Sequence, residues 1–301
     1  MTAQRRGITI VTGANHGIGY ETAVGMAEAG YHVIMACRNK AKAESARASI
    51  IKRLPSASLD IMVIDLGDFT SVQAFARDFR ATYTHLDVLI NNAGILLYSA
   101  QTNGDGIEQQ FATNHLGHFL LTALLVDLMP DDPASRIVAL SSVAHKSASI
   151  DFNDLTCGGN GGTAYGQSKL ACLLFADELN RRLQATDSKI KALAVHPGGS
   201  DSGLFEEMSV LQYYTLKALS PFITHSNASA AKPALHAALA LNVAGGGYYG
   251  PTGFMELRGR VGAAKRDPIT EDGKTAKRLW ELSEKLTGQT FNPTSSRDNP
   301  S

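Results

Sequence analysis

The chain has 301 residues, of which 44% are hydrophobic and 19% charged, so it is long enough for one large α/β domain or two small ones. Its 28 lysines and arginines equal its 28 aspartates and glutamates, which leaves a formal net charge of zero. Without a basic stripe, the composition argues against a nucleic-acid-binding protein and against binding to an acidic membrane surface.

The first predicted element is a short strand over residues 8–12, because this run is rich in β-branched residues and lacks a helical period. Three glycines follow in a T-G-x-x-x-G-I-G pattern, and apolar residues at helical spacing then continue to Gly30. A glycine turn between a strand and a helix lets a diphosphate approach the backbone, where unpaired amides and the positive end of the helix dipole face it. An ordinary turn is the alternative, but the flanking strand and helix favour a dinucleotide loop. Its candidate cofactor-binding residues are Gly13, Asn15, His16, Gly17, Ile18 and Gly19.

Strands and helices alternate after this loop. Further strands are predicted over residues 31–36, 61–64, 88–90, 136–140 and 190–195, with helices between them, one of which covers residues 40–54. The alternation predicts a single doubly wound Rossmann-type α/β domain, with a parallel sheet of about seven strands and helices on both faces. We expect this domain to span residues 1–291 and residues 292–301 to form a disordered tail.

The end of the second strand carries information about the cofactor. In dinucleotide folds, an acidic residue about twenty positions beyond the glycine loop binds the ribose hydroxyls of NAD and would repel a 2′-phosphate. Neutral Cys37 stands there in this chain, and Arg38 beside it can pair with a 2′-phosphate through its planar fork. His16 can add partial positive charge. NADP(H) is therefore predicted over NAD(H), the alternative being that Arg38 is a solvated surface arginine.

Two more strand ends carry candidate cofactor contacts. Asp65, with Leu66 beside it, ends the third strand, and its carboxylate can accept from an adenine amino group or cap the next helix. After the fourth strand come Asn92, Ala93 and Gly94, small residues that let a ligand lie against the backbone at the edge where open α/β sheets bind ligands. Taken alone, this second segment is equally a turn.

The most apolar internal stretch, residues 116–129, is about two thirds of the length that a membrane-spanning helix needs, and it contains His118 and Asp127. We expect a helix packed in a core or a subunit interface, and no membrane span. Because the first predicted strand begins so close to Met1, we also expect no signal peptide or membrane anchor.

The three cysteines are odd in number and have no C-x-x-C spacing. This usage argues against disulfides and structural zinc and favours a reducing compartment, so free thiols and a cytoplasmic protein are expected. The residues concerned are Cys37, Cys157 and Cys172.

Polar side chains near the fifth strand are candidates for catalysis. Ser141 and Ser142 follow this strand, and a serine at a carboxyl edge can donate to a substrate oxygen and orient it, or simply cap a turn. Asn114 lies inside the helix that precedes the strand. The sequence alone does not choose between these roles.

Tyr165 and Lys169 open the next helix and are four residues apart, so they lie one above the other on one helix face. A tyrosine ordinarily titrates near pH 10, too high for a base at neutrality. A neighbouring ammonium and an oxidised nicotinamide ring favour the ionised phenol, which can then exchange a proton with a carbonyl or hydroxyl oxygen. As a bare spacing the pair is weak evidence.

Together these motifs resemble the short-chain dehydrogenase/reductase family in both order and spacing, over about residues 7–288. The matching motifs are T-G-A-N-H-G-I-G at 12–19, N-N-A-G at 91–94, Asn114, Ser142, Y-G-Q-S-K at 165–169 and H-P-G at 196–198. Five further segments resemble the retinol dehydrogenase and protochlorophyllide reductase branch: A-C-R-N, N-H-L-G-H-F, S-S-V-A-H, I-D-F-N-D-L and F-M-E-L-R-G-R.

This resemblance implies an active-site tetrad. Tyr165 would be the general acid/base, and Lys169 would hold the nicotinamide ribose while favouring the phenolate. Ser142, chosen over Ser141 because it falls where this branch places its substrate-binding serine, would orient the carbonyl. Asn114 would carry a water-based proton relay.

The resemblance also implies cofactor contacts and a lid. Pro197 and Gly198 would back the nicotinamide, and Ser202 stands where the family often has a threonine that contacts the carboxamide or phosphates. A segment at about 200–226 would cover the substrate, and its apolar composition suggests a lipophilic ketone, aldehyde or alcohol, unless these side chains pack against the body or a second subunit. Homodimers or homotetramers are usual for the family.

The predicted function is an NADP(H)-dependent oxidoreductase that interconverts a lipophilic ketone or aldehyde and its alcohol. One alternative is an NADPH-dependent reductase of carbon–carbon double bonds, which product analysis with an enone would separate. The other is a non-catalytic NADPH-binding sensor or scaffold, since fold alone does not establish function.

Overall fold

The computed structural model describes residues 7–99, 101–199 and 226–291, and within them the chain forms one eight-stranded sheet. The strands are β1 (Ile8–Thr12), β2 (His32–Cys37), β3 (Ser58–Val63), β4 (Val88–Asn91), β5 (Arg136–Leu140), β6 (Lys191–Val195), β7 (Tyr248–Pro251) and β8 (Val261–Ala263). Their order across the sheet is β3-β2-β1-β4-β5-β6-β7-β8. The chain therefore leaves β1 towards one edge of the sheet and returns at β4 to build the other half.

Helices connect most of the strands. They are α1 (Gly17–Glu28), α2 (Lys40–Arg53), α3 (Phe69–Thr82), α4 (Gln109–Phe111), α5 (Gly117–Leu125), α6 (Gly161–Gln184), α7 (Asn227–Leu239) and α8 (Gly273–Thr287). A π-helical turn, Ala112–Leu116, joins α4 to α5. Short 3-10 turns cover Val126–Leu128, Val143–Ser147, Cys157–Gly159, Phe254–Glu256 and Pro268–Glu271.

The predicted parallel sheet is confirmed for β1 to β7, and β8 adds an antiparallel edge strand that the sequence did not predict. β8 has only three residues and includes Gly262, so it lacks the apolar alternation that identifies a strand. β3 begins at Ser58, earlier than residue 61, because Ser58 already pairs with His32 of β2. Tertiary pairing thus extends a segment whose own residues are mixed in polarity.

Burial on both faces explains the composition of the central strands. All five residues of β1 are buried. Ile8 and Ile10 belong to the hydrophobic cluster on one face of the sheet, whereas Val11 belongs to the cluster on the other. Successive side chains of a strand point to opposite faces, so a strand covered on both sides must be apolar throughout.

Helix α5 occupies the apolar stretch noted in the sequence. Phe119, Leu120, Leu121 and Leu125 are fully buried in the same cluster as Ile10, which confirms the prediction of a core helix. Among the residues described, none of the helices combines the length and apolarity needed to cross a bilayer.

Helix α8 packs against α6 and the π-helical turn. It begins at Gly273, after a separate 3-10 turn over Pro268–Glu271, and Asp272 caps the helix. Trp280 stacks on Phe291 with ring centroids 4.7 Å apart. The predicted tail, residues 292–301, and the predicted lid, apart from Ser226, lie outside the described residues.

Candidate active site

A cleft of about 480 Å³ runs along the carboxyl ends of the central strands. It opens where β1 separates β2 from β4, which is the switch point at which open α/β sheets bind ligands. Its lining from the predicted residues comprises Gly13, Asn15, His16, Gly17, Ile18, Gly19, Arg38, Asp65, Leu66, Asn92, Ala93, Gly94, Ser142, Tyr165, Lys169, Pro197 and Gly198. The fold thus gathers in one cleft residues that are far apart in sequence.

The glycine loop needs its glycines for two reasons. Gly13 and Gly17 have φ values of +68° and +57°, which side-chain-bearing residues rarely adopt. At Gly19 the constraint is steric, since a Cβ atom would lie 2.3 Å from the Gly13 carbonyl oxygen and 2.5 Å from the Asn92 side-chain nitrogen. The loop therefore presses its backbone against the N-N-A-G turn and leaves the cleft side bare.

The N-terminus of α1 faces this bare surface. His16 is its N-cap in an extended conformation, and the His16 side chain makes no capping hydrogen bond within the described part of the chain. The first helical turn contains no acidic residue. Its amides and the positive end of the helix dipole therefore remain available to an anion, which fits the diphosphate of a dinucleotide.

The adenosine end of the cleft contains Arg38 and Asp65. The Arg38 guanidinium is 70% exposed and lies 3.9 Å from the Asp65 carboxylate. Cys37 is buried, and burial raises the pKa of its thiol to about 11, while the Ala14 and Asn15 amides oppose that rise. The position that would carry the NAD-selective carboxylate is thus neutral, and the Arg38 side chain beside it is largely exposed, with the Asp65 carboxylate as its nearby partner.

One alternative for Asp65 is wrong. Asp68, not Asp65, caps α3, because the Asp68 side chain accepts from the Thr70 and Ser71 amides. Asp65 instead accepts from the Gly67 amide at 3.0 Å and closes the turn before the helix. Both carboxylates lie within one D-L-G-D segment, and the helix begins only after the second of them.

The N-N-A-G turn is held by the end of β1. The Thr12 hydroxyl oxygen accepts from the Asn92 and Ala93 amides, both at 2.9 Å. The Asn92 side chain donates to the Thr12 carbonyl oxygen at 2.7 Å. These bonds fix the turn directly beside the glycine loop.

Asn114 lies behind the cleft lining, in the π-helical turn. Its side chain accepts from the Ile95 amide at 2.8 Å and donates to the Ile95 carbonyl at 3.0 Å and to the Ser168 hydroxyl at 2.9 Å. Ser168 in turn donates to the Tyr165 carbonyl oxygen at 2.8 Å. Asn114 therefore bridges the N-N-A-G segment and the helix that carries Tyr165.

Lys169 is buried to 3% exposure and its ammonium donates to the Leu140 carbonyl oxygen at 3.0 Å. The ammonium lies 5.8 Å from the centre of the Tyr165 ring. Gly94 makes room for it, because a Cβ atom there would lie 3.0 Å from the Lys169 nitrogen. A positive charge is thus kept beside the half-buried phenol.

The two serines after β5 have different environments. Ser141 is buried and its hydroxyl donates to the Lys169 carbonyl oxygen at 2.7 Å. Ser142 is half-buried, lines the cleft and accepts from the Ala144 amide at 3.3 Å as the cap of a 3-10 turn. A hydroxyl that accepts as a cap still has its proton to donate, so the cap observed at Ser142 is compatible with the predicted substrate-orienting role.

Histidines support the floor of the cleft on this side. His145 is fully buried and its Nδ1 donates to the Ser142 carbonyl oxygen at 2.7 Å. His196 is also fully buried, and burial lowers its pKa to about 4, with partial opposition from Glu256. Both rings contact Tyr248, with centroid distances of 5.3 Å. These residues act as neutral packing groups beneath Ser142 and Pro197.

Several lining residues were not predicted. Asn39, Lys42 and Thr113 also line the cleft, and the Thr113 hydroxyl lies close to Gly67. Lys42 stands four residues after Arg38 in the first turn of a helix, a spacing that the sequence could have indicated. Residues 95–97 belong to no motif, and they line the cleft because the loop after β4 runs along it. Ser202 lies outside the described residues.

Comparisons with known proteins identify relatives that cover most of this chain. A model of the short chain dehydrogenase family matches residues 7–210. Retinol dehydrogenase 12 of Mus musculus is 39% identical over 288 residues, covering 93% of this chain and 86% of that protein. Retinol dehydrogenase 13 of Homo sapiens is 39% identical over 289 residues, covering 93% and 84%. Short-chain dehydrogenase TIC 32 B, chloroplastic, of Brassica napus is 37% identical over 287 residues, covering 92% and 87%.

Solved structures share the architecture. An uncharacterized protein from Mycobacterium paratuberculosis is similar with a TM-score of 0.77 and 36% identity, over 95% of both chains. Pseudomonas aeruginosa RhlG, in a complex with NADP, is similar with a TM-score of 0.63 and 25% identity, over 80% of this chain and 93% of that one. The predicted doubly wound fold is confirmed by these neighbours.

Proposed function

The chain belongs to the short-chain dehydrogenase family, as its motifs predicted, and from this membership and the cleft we propose an NADP(H)-dependent oxidoreductase. It would interconvert a lipophilic ketone or aldehyde and the corresponding alcohol. The observation that carries the proposal is that Tyr165, Lys169 and Ser142 all line this cleft, with the Lys169 ammonium 5.8 Å from the centre of the Tyr165 ring. A phenol, a buried ammonium and a serine hydroxyl thus share one cleft, and these are the groups that a carbonyl oxygen requires.

The cleft fits a dinucleotide. The bare glycine loop and the free amides of α1 would hold the diphosphate. Asn92, Ala93 and Gly94 would lie along the nicotinamide ribose, and Pro197 and Gly198 would back the ring. When bound, the nicotinamide supplies the hydride that a carbonyl accepts, or takes one from an alcohol.

The proton is handled by this chain's own residues. In the direction of reduction, the Tyr165 hydroxyl would give its proton to the substrate oxygen, and in oxidation the phenolate would take it back. The Lys169 ammonium, 5.8 Å from the centre of the Tyr165 ring, would stabilise negative charge on the phenolic oxygen. Ser142 would donate a hydrogen bond to the same substrate oxygen and orient it. Asn114 would hold α6 and the segment after the N-N-A-G turn together. Because the side-chain oxygen and nitrogen of Asn114 are already hydrogen-bonded, a relay water would have to share them.

The preference for NADP(H) rests on Arg38 and Cys37. A neutral residue stands where a carboxylate would repel the 2′-phosphate, and the adjacent guanidinium is exposed at the mouth of the cleft. Lys42 in the same part of the lining would add a second cation. The complex of P. aeruginosa RhlG with NADP supports the same choice.

A lipophilic substrate is supported by the names of the relatives, since retinol is a long apolar alcohol. The apolar composition of residues 203–226 agrees with this. We also propose a cytoplasmic location, because all three cysteines are free thiols. A homodimer or homotetramer stays a prediction from the family resemblance.

The test is a panel of aldehydes, ketones and secondary alcohols, with turnover followed by cofactor absorbance for NADPH and NADH separately. We expect NADPH-dependent reduction of apolar carbonyls by the unaltered chain. Tyr165→Phe should abolish turnover, by about a hundredfold or more, yet bind NADPH within about threefold of the unaltered chain. Unchanged turnover in Tyr165→Phe, or binding of NADPH without oxidation on any carbonyl, would reject the proposal.

A further inference from the structure

The N-N-A-G turn is clamped at two points by groups from different parts of the chain. At its start, the Thr12 hydroxyl oxygen accepts from the Asn92 and Ala93 amides. Just after its end, the Asn114 side chain pairs with both the amide and the carbonyl of Ile95. Between the clamps lies Gly94, which packs against the Lys169 ammonium.

One buried side chain joins the two clamps. His118, 3% exposed, has its Nε2 atom 2.9 Å from the Thr12 hydroxyl and its Nδ1 atom 2.9 Å from the Asn114 carbonyl oxygen. Thr12 and His118 are 106 residues apart in sequence. The imidazole therefore closes a ring of hydrogen bonds around the turn.

The hydrogen-bonding capacity of these groups determines the form of the imidazole. A carbonyl oxygen only accepts, so Nδ1 of His118 must carry the proton that binds Asn114. Both lone pairs of the Thr12 hydroxyl are taken by the Asn92 and Ala93 amides, so this hydroxyl donates to Nε2, the Ile90 carbonyl being farther away at 3.4 Å. The ring is thus a neutral donor on one side and an acceptor on the other.

The electrostatic environment agrees with a neutral ring. The pKa of His118 is lowered to about 4, chiefly by burial and also by the Lys169 charge, although the bond to Asn114 opposes the shift. A proton added at Nε2 would face a hydroxyl whose lone pairs are already occupied. His118 therefore keeps one tautomer throughout the neutral range of pH.

The Asn114 carbonyl is where this ring meets the catalytic helix. It belongs to the π-helical turn, and it also accepts from the Cys172 thiol of α6 at 3.1 Å. The Asn114 side chain continues through Ser168 to the Tyr165 backbone. An error in the orientation of Asn114 would thus displace both the turn beside the ammonium and the helix that carries the phenol.

We propose that His118 is a positioning residue for the reaction, which orients Asn114 and the N-N-A-G turn relative to Tyr165 and Lys169. The inference rests on the proposed function for its catalytic consequence and on the hydrogen-bond geometry for its structural one. His118 itself touches neither substrate nor cofactor. Its contribution is to make one rigid unit of Thr12, Asn114 and the turn.

The test uses His118→Phe, Thr12→Val and Thr12→Ser, with His115→Phe as the matched control. His115 is also buried and lies in the π-helical turn directly before α5, but its Nε2 binds Ser283 of α8 at 2.8 Å instead of the clamp. Each variant is measured for kcat and KM at saturating cofactor, and for hydrogen exchange of the Asn92, Ala93 and Ile95 amides. Exchange reports the clamp whether or not the chain turns over a substrate.

We expect His118→Phe and Thr12→Val each to lower kcat about tenfold with a smaller change in KM, and to accelerate exchange of the three amides about tenfold. For Thr12→Ser, which keeps the hydroxyl, kcat and amide exchange should stay within about twofold of the unaltered chain. The double variant His118→Phe/Thr12→Val should lose no more kcat than the more damaging of the two single variants. His115→Phe should leave kcat and these amides unchanged.

Three results would overturn the inference: unchanged kcat and exchange in His118→Phe, equal damage in Thr12→Ser and Thr12→Val, or equal effects of His115→Phe and His118→Phe. If His118→Phe does not fold, the comparison of Thr12→Val with Thr12→Ser still tests the inference. An unaltered chain without turnover would reject the proposed function, while amide exchange would still accept or reject the clamp.

Discussion

Lys169 is buried, which is rare for a lysine unless its ammonium has a hydrogen-bond partner. Here the Leu140 carbonyl oxygen accepts one of its three protons. Lys169 also lines the cleft, and Gly94 carries no side chain that would crowd the ammonium there. A charge held this way is costly to bury and is kept where a reacting oxygen can share it.

Arg38 is the residue on which cofactor choice should depend. A charge-assisted hydrogen bond to a phosphate is worth roughly 1.5 to 3 kcal/mol, so Arg38→Ala should weaken NADPH binding about ten- to a hundredfold and hardly change NADH binding. Fluorescence titration with each cofactor measures this. Arg47→Ala is the control, because Arg47 lies on the following helix α2 and pairs with Glu44 outside the cleft lining. Equal losses for NADPH and NADH would contradict the role of Arg38.

At the scale of elements, the β1-loop-α1 unit illustrates how local constraints build a site. The strand must be apolar because it is buried on both faces, and the helix must begin without a side-chain cap for an anion to reach its amides. The glycines between them permit a turn that other residues would strain. Each requirement lies within a few residues of the next.

Gly19→Ala tests this unit. The added methyl would collide with the Gly13 carbonyl oxygen at 2.3 Å, so we expect the loop to shift, the melting temperature to fall and NADPH affinity to drop about tenfold or more. Gly273→Ala is the matched control, because Gly273 also lies in the first turn of a helix but its Cβ would meet open space. That control should be neutral or stabilising by up to about 1 kcal/mol. Equal effects of the two substitutions would contradict the steric explanation.

At the scale of the whole molecule, buried histidines couple stability to pH. Burial lowers the pKa of His115 to about 3 and of His118 and His196 to about 4, well below the ordinary value of about 6.5. Between those values the unfolded chain binds protons that the folded chain excludes, so the free energy of unfolding must fall as pH falls through this window. Burial raises the pKa of Glu108 and Asp177, and these carboxyl groups act in the opposite direction.

His115→Phe isolates one contribution. Above pH 7 the histidine contributes almost no pH dependence, and between pH 7.5 and 5.5 each such group should remove roughly 1 kcal/mol from the free energy of unfolding. We expect urea unfolding of His115→Phe to show about that much less loss over the same interval than the unaltered chain. Parallel losses in the two proteins would mean that His115 is not excluded from protonation in the folded state.

Local features of the sequence were enough to identify much of this protein. The glycine loop, the strand-helix alternation and the Tyr165-Lys169 spacing are short-range patterns, and the structure places every described cofactor-binding prediction in one cleft. Strand edges were less certain, since β3 and β8 owe their extent to pairing with a neighbour. The capping of α3 by Asp68 rather than Asp65 was also decided by tertiary geometry.

The amino-acid sequence by itself determined the fold class and the glycine loop, because burial on two faces and backbone freedom are properties of single elements. Only the tertiary structure decided which serine hydroxyl donates to the Lys169 carbonyl oxygen, where Asn114 directs its hydrogen bonds and why His118 is buried beside Thr12. These contacts join segments tens to a hundred residues apart, and a hydrogen bond depends on orientation that no residue carries alone. The sheet supplies that orientation by bringing the ends of its strands to one edge.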